Sequence, residues 1–324
     1  MNATALVTGA NGFVGSVLCR FLVGQGFNVR ALIRRSSNRS LLDGLSLDWA
    51  YGDVTDAVSV KTAAEGCDYV FHLAGVILPS KEEEFRRVNV GGTQNVIQAA
   101  GPSVKRVVLV SSLAAAGPSV NGSFVDETMA PRPISVYGQS KLEAEALALE
   151  SKVPVTVIRP PVVFGPGDQA TLPIFLWASK GWAFRLAGQP MLASVVYVED
   201  LARAIVAAIQ HDRSVGQTYF VSYPESIEMG RLMEKIAHLA GHNRVRTVAI
   251  PRLLLRCAAF AGEWGGRALG RRPMFTRDKA REFLAGSWVC SSAKLVQEIG
   301  FVDYTPLETA CRRTLSWYQE KGWL

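Results

Sequence analysis

Three glycines at positions 9, 12 and 15 constrain this chain more than any other feature, in Thr8-Gly9-Ala10-Asn11-Gly12-Phe13-Val14-Gly15. They follow a short apolar run at 3–7 and open a helical pattern through Phe13, Val14, Leu18, Phe21 and Leu22. A strand-to-helix junction needs glycine for a sharp turn, for backbone approach to a pyrophosphate, and for packing helix on strand. The free N–H groups and positive dipole end of the helix then face an anion. The spacing is GxxGxxG, not GxGxxG, and glycine spacing alone also fits an ordinary tight turn. Its place after the first strand favours a dinucleotide site lined by Gly9, Asn11, Gly12, Phe13, Val14 and Gly15.

The rest of the first half agrees. Strand-like runs lie at 29–33, more weakly at 49–51, then at 69–73, 106–110 and 153–158, with helical stretches at 82–100 and 136–149. This alternation predicts an α/β fold, a doubly wound (Rossmann) parallel sheet covered on both faces. After Arg159, prolines at 160, 161, 166 and 173 break the pattern. Residues 195–198 and 218–221 are expected to return as strands to the main sheet, with a helix over 201–210. Residues 223–324 read as helices joined by loops. The expected division is a dinucleotide-binding domain (1–165 and 194–222) and a smaller, mostly helical substrate lobe (166–193 and 223–324).

The second strand ends Ile33-Arg34-Arg35, and no acid occurs from Met1 to Leu42. An NAD site usually places a carboxylate about twenty residues beyond the glycine turn. A guanidinium instead suits a 2′-phosphate. Arg34 and Arg35, with Arg39 beyond, therefore favour NADP, with NAD possible; the alternative is a solvated basic loop. Asp53, in Gly52-Asp53-Val54, could accept from an adenine amino group or simply form a turn.

Tyr137 and Lys141 stand four apart at the start of a helical stretch, so they share one face. A free phenol titrates near 10. A neighbouring lysine cation is expected to lower that value toward the range where a proton can shuttle, and Lys141 could also hold ribose hydroxyls.

With these residues in place, the chain resembles the extended short-chain dehydrogenases/reductases, of the NAD-dependent epimerase/dehydratase type. It is similar to the branch holding 3β-hydroxysteroid dehydrogenases, dihydroflavonol reductases and sugar epimerases. The resembling pieces run in family order. They are the glycine turn, Gly52-Asp53-Val54, His72-Leu73-Ala74-Gly75, Asn89-Val90-Gly91-Gly92-Thr93, Val110-Ser111-Ser112, Tyr137 to Lys141, the run from Arg159-Pro160-Pro161 to Asp168, and Val198-Glu199-Asp200. The resemblance implies Ser112, Tyr137 and Lys141 as catalytic residues. It also implies a cofactor lined by Asp53, Val54, Leu73, Ala74, Gly75, Ser111, Pro160, Val162 and Val163. Asn89 matches a family asparagine that supports the site, or is a packing amide.

Such a set suits hydride transfer between a ketone and a secondary alcohol, or a nucleotide-sugar epimerase using tightly bound NAD. Dehydratases of this kind carry an acidic pair after the Ser/Thr. Here Leu113-Ala114-Ala115 follow, which argues against dehydration. Nucleotide-sugar enzymes often place an arginine just before Val-x-Asp; Ala193-Ser194-Val195-Val196-Tyr197 has none, although Arg252, Arg256, Arg267, Arg271, Arg272 or Arg277 could supply a phosphate site. A non-catalytic dinucleotide sensor is disfavoured because Ser112, Tyr137 and Lys141 are all present. The resemblance also implies a homodimer, with the helices over 82–100 and 136–149 as candidate contacts.

Composition removes other classes. Hydrophobic residues are 48% and charged ones 19%, a globular balance. The net charge of +7 is spread along the chain, with no basic run interleaved with aromatics, so no nucleic-acid partner is expected. Five isolated cysteines fit a reducing compartment. His238 and His242 read as helix-end histidines, and no metal site is expected. No run reaches the ~18 apolar residues of a membrane span. Strand-like sequence from Ala3 leaves no room for a signal peptide, so a cytoplasmic location is expected. Leu253-Leu254-Leu255, Ala258-Ala259-Phe260, Trp264 and the nearby arginines suit a greasy substrate, weak membrane-surface contact or, in preference, ordinary packing.

Overall fold

The computed structural model describes residues 3–77, 81–120, 122–188, 190–254 and 277–324. Seven parallel strands form the central sheet: β1 (Thr4–Thr8), β2 (Asn28–Ile33), β3 (Asp48–Tyr51), β4 (Tyr69–His72), β5 (Arg106–Val110), β6 (Val155–Arg159) and, late in the chain, Gln217–Phe220. Their spatial order is β3-β2-β1-β4-β5-β6 with Gln217–Phe220 outermost, so the direction of winding reverses beside β1. In open α/β sheets a ligand crevice lies at that reversal, beyond the carboxyl ends of the strands.

Strand pleating sends alternate side chains to opposite faces. Val108 and Val110 of β5 pack on one face with Ala5, Val7 and Phe71, under helices α1 (Phe13–Gly24) and Val198–Ile209. Val107 and Leu109 pack on the other with Leu6 and Val70, under α2 (Ala57–Ala64), α3 (Gly91–Ala99) and α4 (Val136–Leu149). All five β5 residues are buried, as a strand covered on both faces requires.

Three expectations change. The strand at Val195–Tyr197 does not return to the main sheet; it pairs in parallel with β7 (Val162–Phe164). Pro160 and Pro161 explain this, because proline has no N–H for the ladder and interrupts the strand after Arg159. Gln217–Phe220 does join β6. The stretch 82–100 is not one helix: Arg86–Val90 forms a π-helical turn between Glu83–Phe85 and α3. The tail is not helices and loops alone. Arg246–Ile250 pairs in parallel with Trp182–Leu186, and Ile227–Glu228 antiparallel with Leu192–Ala193. Such pairings join residues far apart in sequence, which local periodicity does not register.

One tail segment, 287–292, stitches two distant pieces together. Trp288 N–H donates to Leu192 O and Ser194 N–H to Trp288 O, both at 2.8 Å. Val125 N–H donates to Val289 O and Ser291 N–H to Val125 O, both at 2.9 Å. The helix Arg277–Leu284 just before it is thereby tied to the loop that follows Ser112. Among the described residues no helix is long and apolar enough to cross a membrane. Leu253 and Leu254 are exposed; Leu255, Arg256, Cys257, residues 258–260, Trp264, Arg267, Arg271 and Arg272 lie outside the described residues.

Candidate active site

The glycine turn packs backbone on backbone. Gly9 takes φ +69°, and Gly12 N–H closes the turn on Gly9 O at 3.0 Å. A Cβ on Gly15 would stand 2.1 Å from Gly9 O, so only glycine lets α1 lie there. Gly12 caps α1 without a side-chain hydrogen bond, leaving its first N–H groups for an anion. Asn11, Phe13 and Val14 are partly exposed beside it. A Cβ on Gly9 would stand 2.8 Å from Ala74 N, so Leu73-Ala74-Gly75 adjoins the turn.

A buried relay holds these two loops. Ala74 N–H donates to Thr8 Oγ1 at 3.2 Å, Thr8 Oγ1 contacts His72 Nδ1 at 2.7 Å, and His72 Nε2 contacts Thr93 Oγ1 at 3.1 Å. Thr93 Oγ1 donates to Asn89 O, so it accepts from His72 Nε2–H, and Nδ1 accepts from Thr8. Burial, aided by the Lys141 charge, pushes the imidazole down to about 3, so His72 stays neutral.

At the ends of β2 and β3 the groups diverge. Arg34 and Arg35 are exposed. The Arg35 guanidinium lies 4.8 Å over the Tyr51 ring, and Arg39 lies 5.0 Å over Trp49. Asp53 Oδ1 accepts from Thr55 N–H at 2.9 Å and Thr55 Oγ1 at 2.8 Å, a turn-forming role. Burial raises its carboxyl, but the Thr55 hydrogen bonds and the charges of Arg34 and Arg87 outweigh this and hold it below the usual range. Val54 packs into the core and its carbonyl accepts from Asn95.

The acid–base candidates meet at the ends of β5 and β6. Ser112 caps the short helix Leu113–Ala116, its Oγ accepting from Ala114 N–H at 3.1 Å. A Cβ on Gly138 would stand 2.3 Å from Ala114 O, so α4 presses directly on that turn. This contact brings Tyr137 within hydrogen-bonding reach of Ser112. Lys141 Nζ donates to Val110 O at 2.8 Å, and a Cβ on Gly75 would stand 3.6 Å from it. Asn89 Oδ1 accepts from Val76 N–H at 2.8 Å while its Nδ2 donates to Ser140 Oγ at 2.9 Å. The π-helical turn carrying Asn89 is thus tied to α4, and its amide packs as well as ties. Pro160 O accepts from Leu113 N–H at 2.8 Å, with Val162 exposed and Val163 half-buried just beyond.

One sequence expectation reverses. Burial pushes the Tyr137 phenol up to about 12, against a downward pull from the Ser112 hydrogen bond and with an upward one from the Glu282 carboxylate. Lys141 shares the helix face but aims its ammonium at Val110 O. Burial pushes Lys141 itself down to about 8, against the opposing charge of Glu145. The sequence reading also missed Glu145. It lies one turn beyond Lys141, and Arg159 Nη2 donates to its Oε2 at 2.6 Å. The spacing 137, 141, 145 was a visible signal. His238 Nδ1 and His242 Nε2 each face a backbone carbonyl, and no group of metal ligands occurs among the described residues.

These features fit a dinucleotide. The glycine cradle, the uncapped helix start and Gly75 beside Lys141 leave room for one. Ser111 Oγ, buried without a partner among the described residues, offers it a polar atom. The model of the NAD-dependent epimerase/dehydratase family matches residues 5–222. The chain is 31% identical to sterol demethylase protein B of Methylococcus capsulatus, covering 98% of this chain and 99% of that one. It is 29% identical to a ceramide reductase of Caulobacter vibrioides, covering 98% and 95%. The solved structure of MoeE5 with UDP-glucuronic acid and NAD superposes with a TM-score of 0.76 at 25% identity, covering 98% and 100%. The chain belongs to the NAD-dependent epimerase/dehydratase family of extended short-chain dehydrogenases/reductases, and is an NAD-dependent enzyme of the dehydrogenase, reductase or epimerase type.

Proposed function

We propose that the chain interconverts an apolar ketone and its secondary alcohol, with NADP(H) favoured over NAD(H). The observation that carries this is Tyr137 and Ser112 in hydrogen-bonding reach beside Lys141. When bound, the nicotinamide gives or takes a hydride at its C4. Ser112 Oγ accepts from Ala114 N–H, and its O–H, which meets the Tyr137 phenol, turns to donate to the substrate oxygen when one is bound. Tyr137, held protonated by burial, supplies the proton in the reductive direction. Lys141 holds the ribose hydroxyls. Gly9, Asn11, Gly12, Phe13, Val14 and Gly15 cradle the pyrophosphate, and Asp53 and Val54 border the adenine. Leu73, Ala74, Gly75, Ser111, Pro160, Val162 and Val163 line the nicotinamide half. Residues 1–165 and 194–222 carry the cofactor, and the remainder shapes the substrate site.

An apolar substrate is favoured by the exposed side chains next to the site: Ile77, two residues beyond Gly75, and Val162, two beyond Pro160, are 56% and 36% exposed. Val195, Val196 and Tyr197 are buried and offer no guanidinium. The Caulobacter and Methylococcus relatives are named for a ceramide and a sterol. A panel of sterol-like, flavonoid-like and long-chain ketones, followed by NADPH absorbance, is expected to show turnover. UDP-glucose and UDP-galactose, followed by product analysis, are expected to remain unchanged. Epimerised sugar with no ketone reduced would replace this reading with the epimerase one.

Arg34 and Arg35 support the preference for NADP. Replacing both with serine removes charge-assisted hydrogen bonds to a 2′-phosphate, each worth roughly 1.5–3 kcal/mol. NADP affinity is expected to fall at least about tenfold while NAD affinity holds. Calorimetric titration with both cofactors checks this; tighter NAD than NADP binding to the wild-type chain would end the preference.

A further inference from the structure

Glu145 and Arg159 form an ion pair behind the candidate active site, only 2% and 6% exposed. Arg159 Nε lies 3.0 Å from Oε1 and 3.2 Å from Oε2, and Nη2 lies 2.6 Å from Oε2. This is a two-pronged contact, the geometry in which guanidinium and carboxylate bind most directionally. Phe220 covers the guanidinium from the edge strand, 5.6 Å from its ring centre. Such a pair is costly to bury, and hydrophobic replacements often serve stability as well. Its position suggests another use.

Glu145 continues the stripe of Tyr137 and Lys141 on α4, each one turn from the last. Arg159 ends β6 and is followed at once by Pro160, whose carbonyl holds the turn after Ser112. The pair therefore joins the helix carrying Tyr137 and Lys141 to the strand leading to Val162. The charged and titratable groups around Lys141 are Tyr137 and Glu145 on its own helix, neutral His72 on β4 and, behind Glu145, Arg159. The neighbouring π-helical turn faces it with the neutral Asn89 amide, its Arg86 being paired with Glu143 of α4 at 2.9 Å on the exposed side, and β5 contributes a backbone carbonyl.

Resting on the function proposed above, we infer that Glu145 and Arg159 are positioning residues: the pair fixes α4 to β6 and supplies the anion that keeps the buried Lys141 a cation when it meets the cofactor ribose. An anion one helical turn from a buried ammonium favours its charged form, and the Arg159 guanidinium behind it offsets only part of that effect because it lies farther from Lys141. The direction follows from the sign. Removing the anion lowers the pH at which Lys141 loses its charge.

The test is NADPH and NADH binding by fluorescence from pH 6 to 10, with thermal melting of each variant. The wild-type chain is expected to bind well at neutral pH and more weakly above an alkaline midpoint, and Lys141→Met to bind weakly with no midpoint. Glu145→Gln orphans a buried guanidinium and can unfold the chain. Glu145→Met combined with Arg159→Met is therefore measured beside it, because it removes both charges together. The double variant is expected to melt near the wild type with its midpoint lowered by about one pH unit or more. Arg159→Lys keeps the charge but loses the fork; it is expected to hold the midpoint and lose cofactor affinity. A double variant that binds cofactor with an unmoved midpoint overturns the role assigned to the pair alone. Failure of the wild-type chain to bind either cofactor at any pH overturns the underlying function, and the inference with it.

Discussion

Tyr137→Phe is expected to lower kcat for ketone reduction roughly 10²- to 10⁴-fold, the usual contribution of a positioned proton donor. Cofactor binding and melting temperature should change little. The ring that remains still packs beside Phe85, 6.0 Å between centres, and α4 still rests on Ala114 through Gly138. Only the hydroxyl and its bond to Ser112 are lost. The pH profile separates this role from that of Lys141. Reduction needs the protonated phenol, and burial keeps it protonated up to about 12. The alkaline limb therefore belongs to Lys141, which is charged below about 8 and neutral above. Reduction should be full at pH 7 and fall as pH rises through about 8. Steady-state rates with a substrate from the ketone panel, taken across pH, check both points. Wild-type turnover by Tyr137→Phe would remove the proton role.

Gly15→Ala has the second largest expected effect, and it acts on the fold first. The added methyl would stand 2.1 Å from Gly9 O and 2.9 Å from Gly9 C, both backbone atoms that cannot swing aside. Relief requires lifting α1 from the turn, although Leu18, Cys19 and Leu22 anchor its inner face in the core. A loss of about 3 kcal/mol or more is expected, at the upper end of overpacking costs. For a chain of 324 residues that corresponds to a drop in Tm of roughly 4–5 °C. Cofactor affinity should fall with it, because the N–H groups at the start of α1 move. Gly24→Ala is the control: the same helix, nothing within 4 Å of the new methyl, and no positive φ. It should be neutral or gain about 0.4–1 kcal/mol through the unfolded chain. Differential scanning calorimetry and cofactor titration of the two variants check the contrast; equal melting would show that the turn is slack.

What the sequence disclosed follows the range of the forces involved. The first strand, the glycine turn and α1 are local, and their periodicity and turn chemistry are written in consecutive residues. The α4 boundaries are equally local: Ser135 caps it and Val136–Leu149 form it. The strand at Val195–Tyr197 was visible as a strand, but which sheet it joins depends on where Pro160 and Pro161 leave β7. The π-helical turn at Arg86–Val90 was invisible, because Asn89 is held by Val76 and Ser140 from other elements. The candidate site was legible by residue but not by charge. Lysine four residues from tyrosine reads as a cation beside a phenol, yet desolvation outweighs that proximity and the ammonium turns to Val110 O. The Glu145–Arg159 pair shows the same limit, since burial turns two ordinary charged residues into an obligatory couple.

The stitching by residues 287–292 sets an order of events on the ribosome. Everything needed for the seven-stranded sheet has been made once Phe220 emerges. The loop beyond Ser112 still lacks Val289 O as the acceptor for Val125 N–H, and Leu192 lacks Trp288. At about 5–20 residues per second, some seventy further residues take roughly 4–14 seconds. During that interval the loop beyond Ser112 and the strand at Leu192 both wait on one late segment, and Leu295, Ile299 and Phe301, which follow it, are still missing from the core beside β1 and α1.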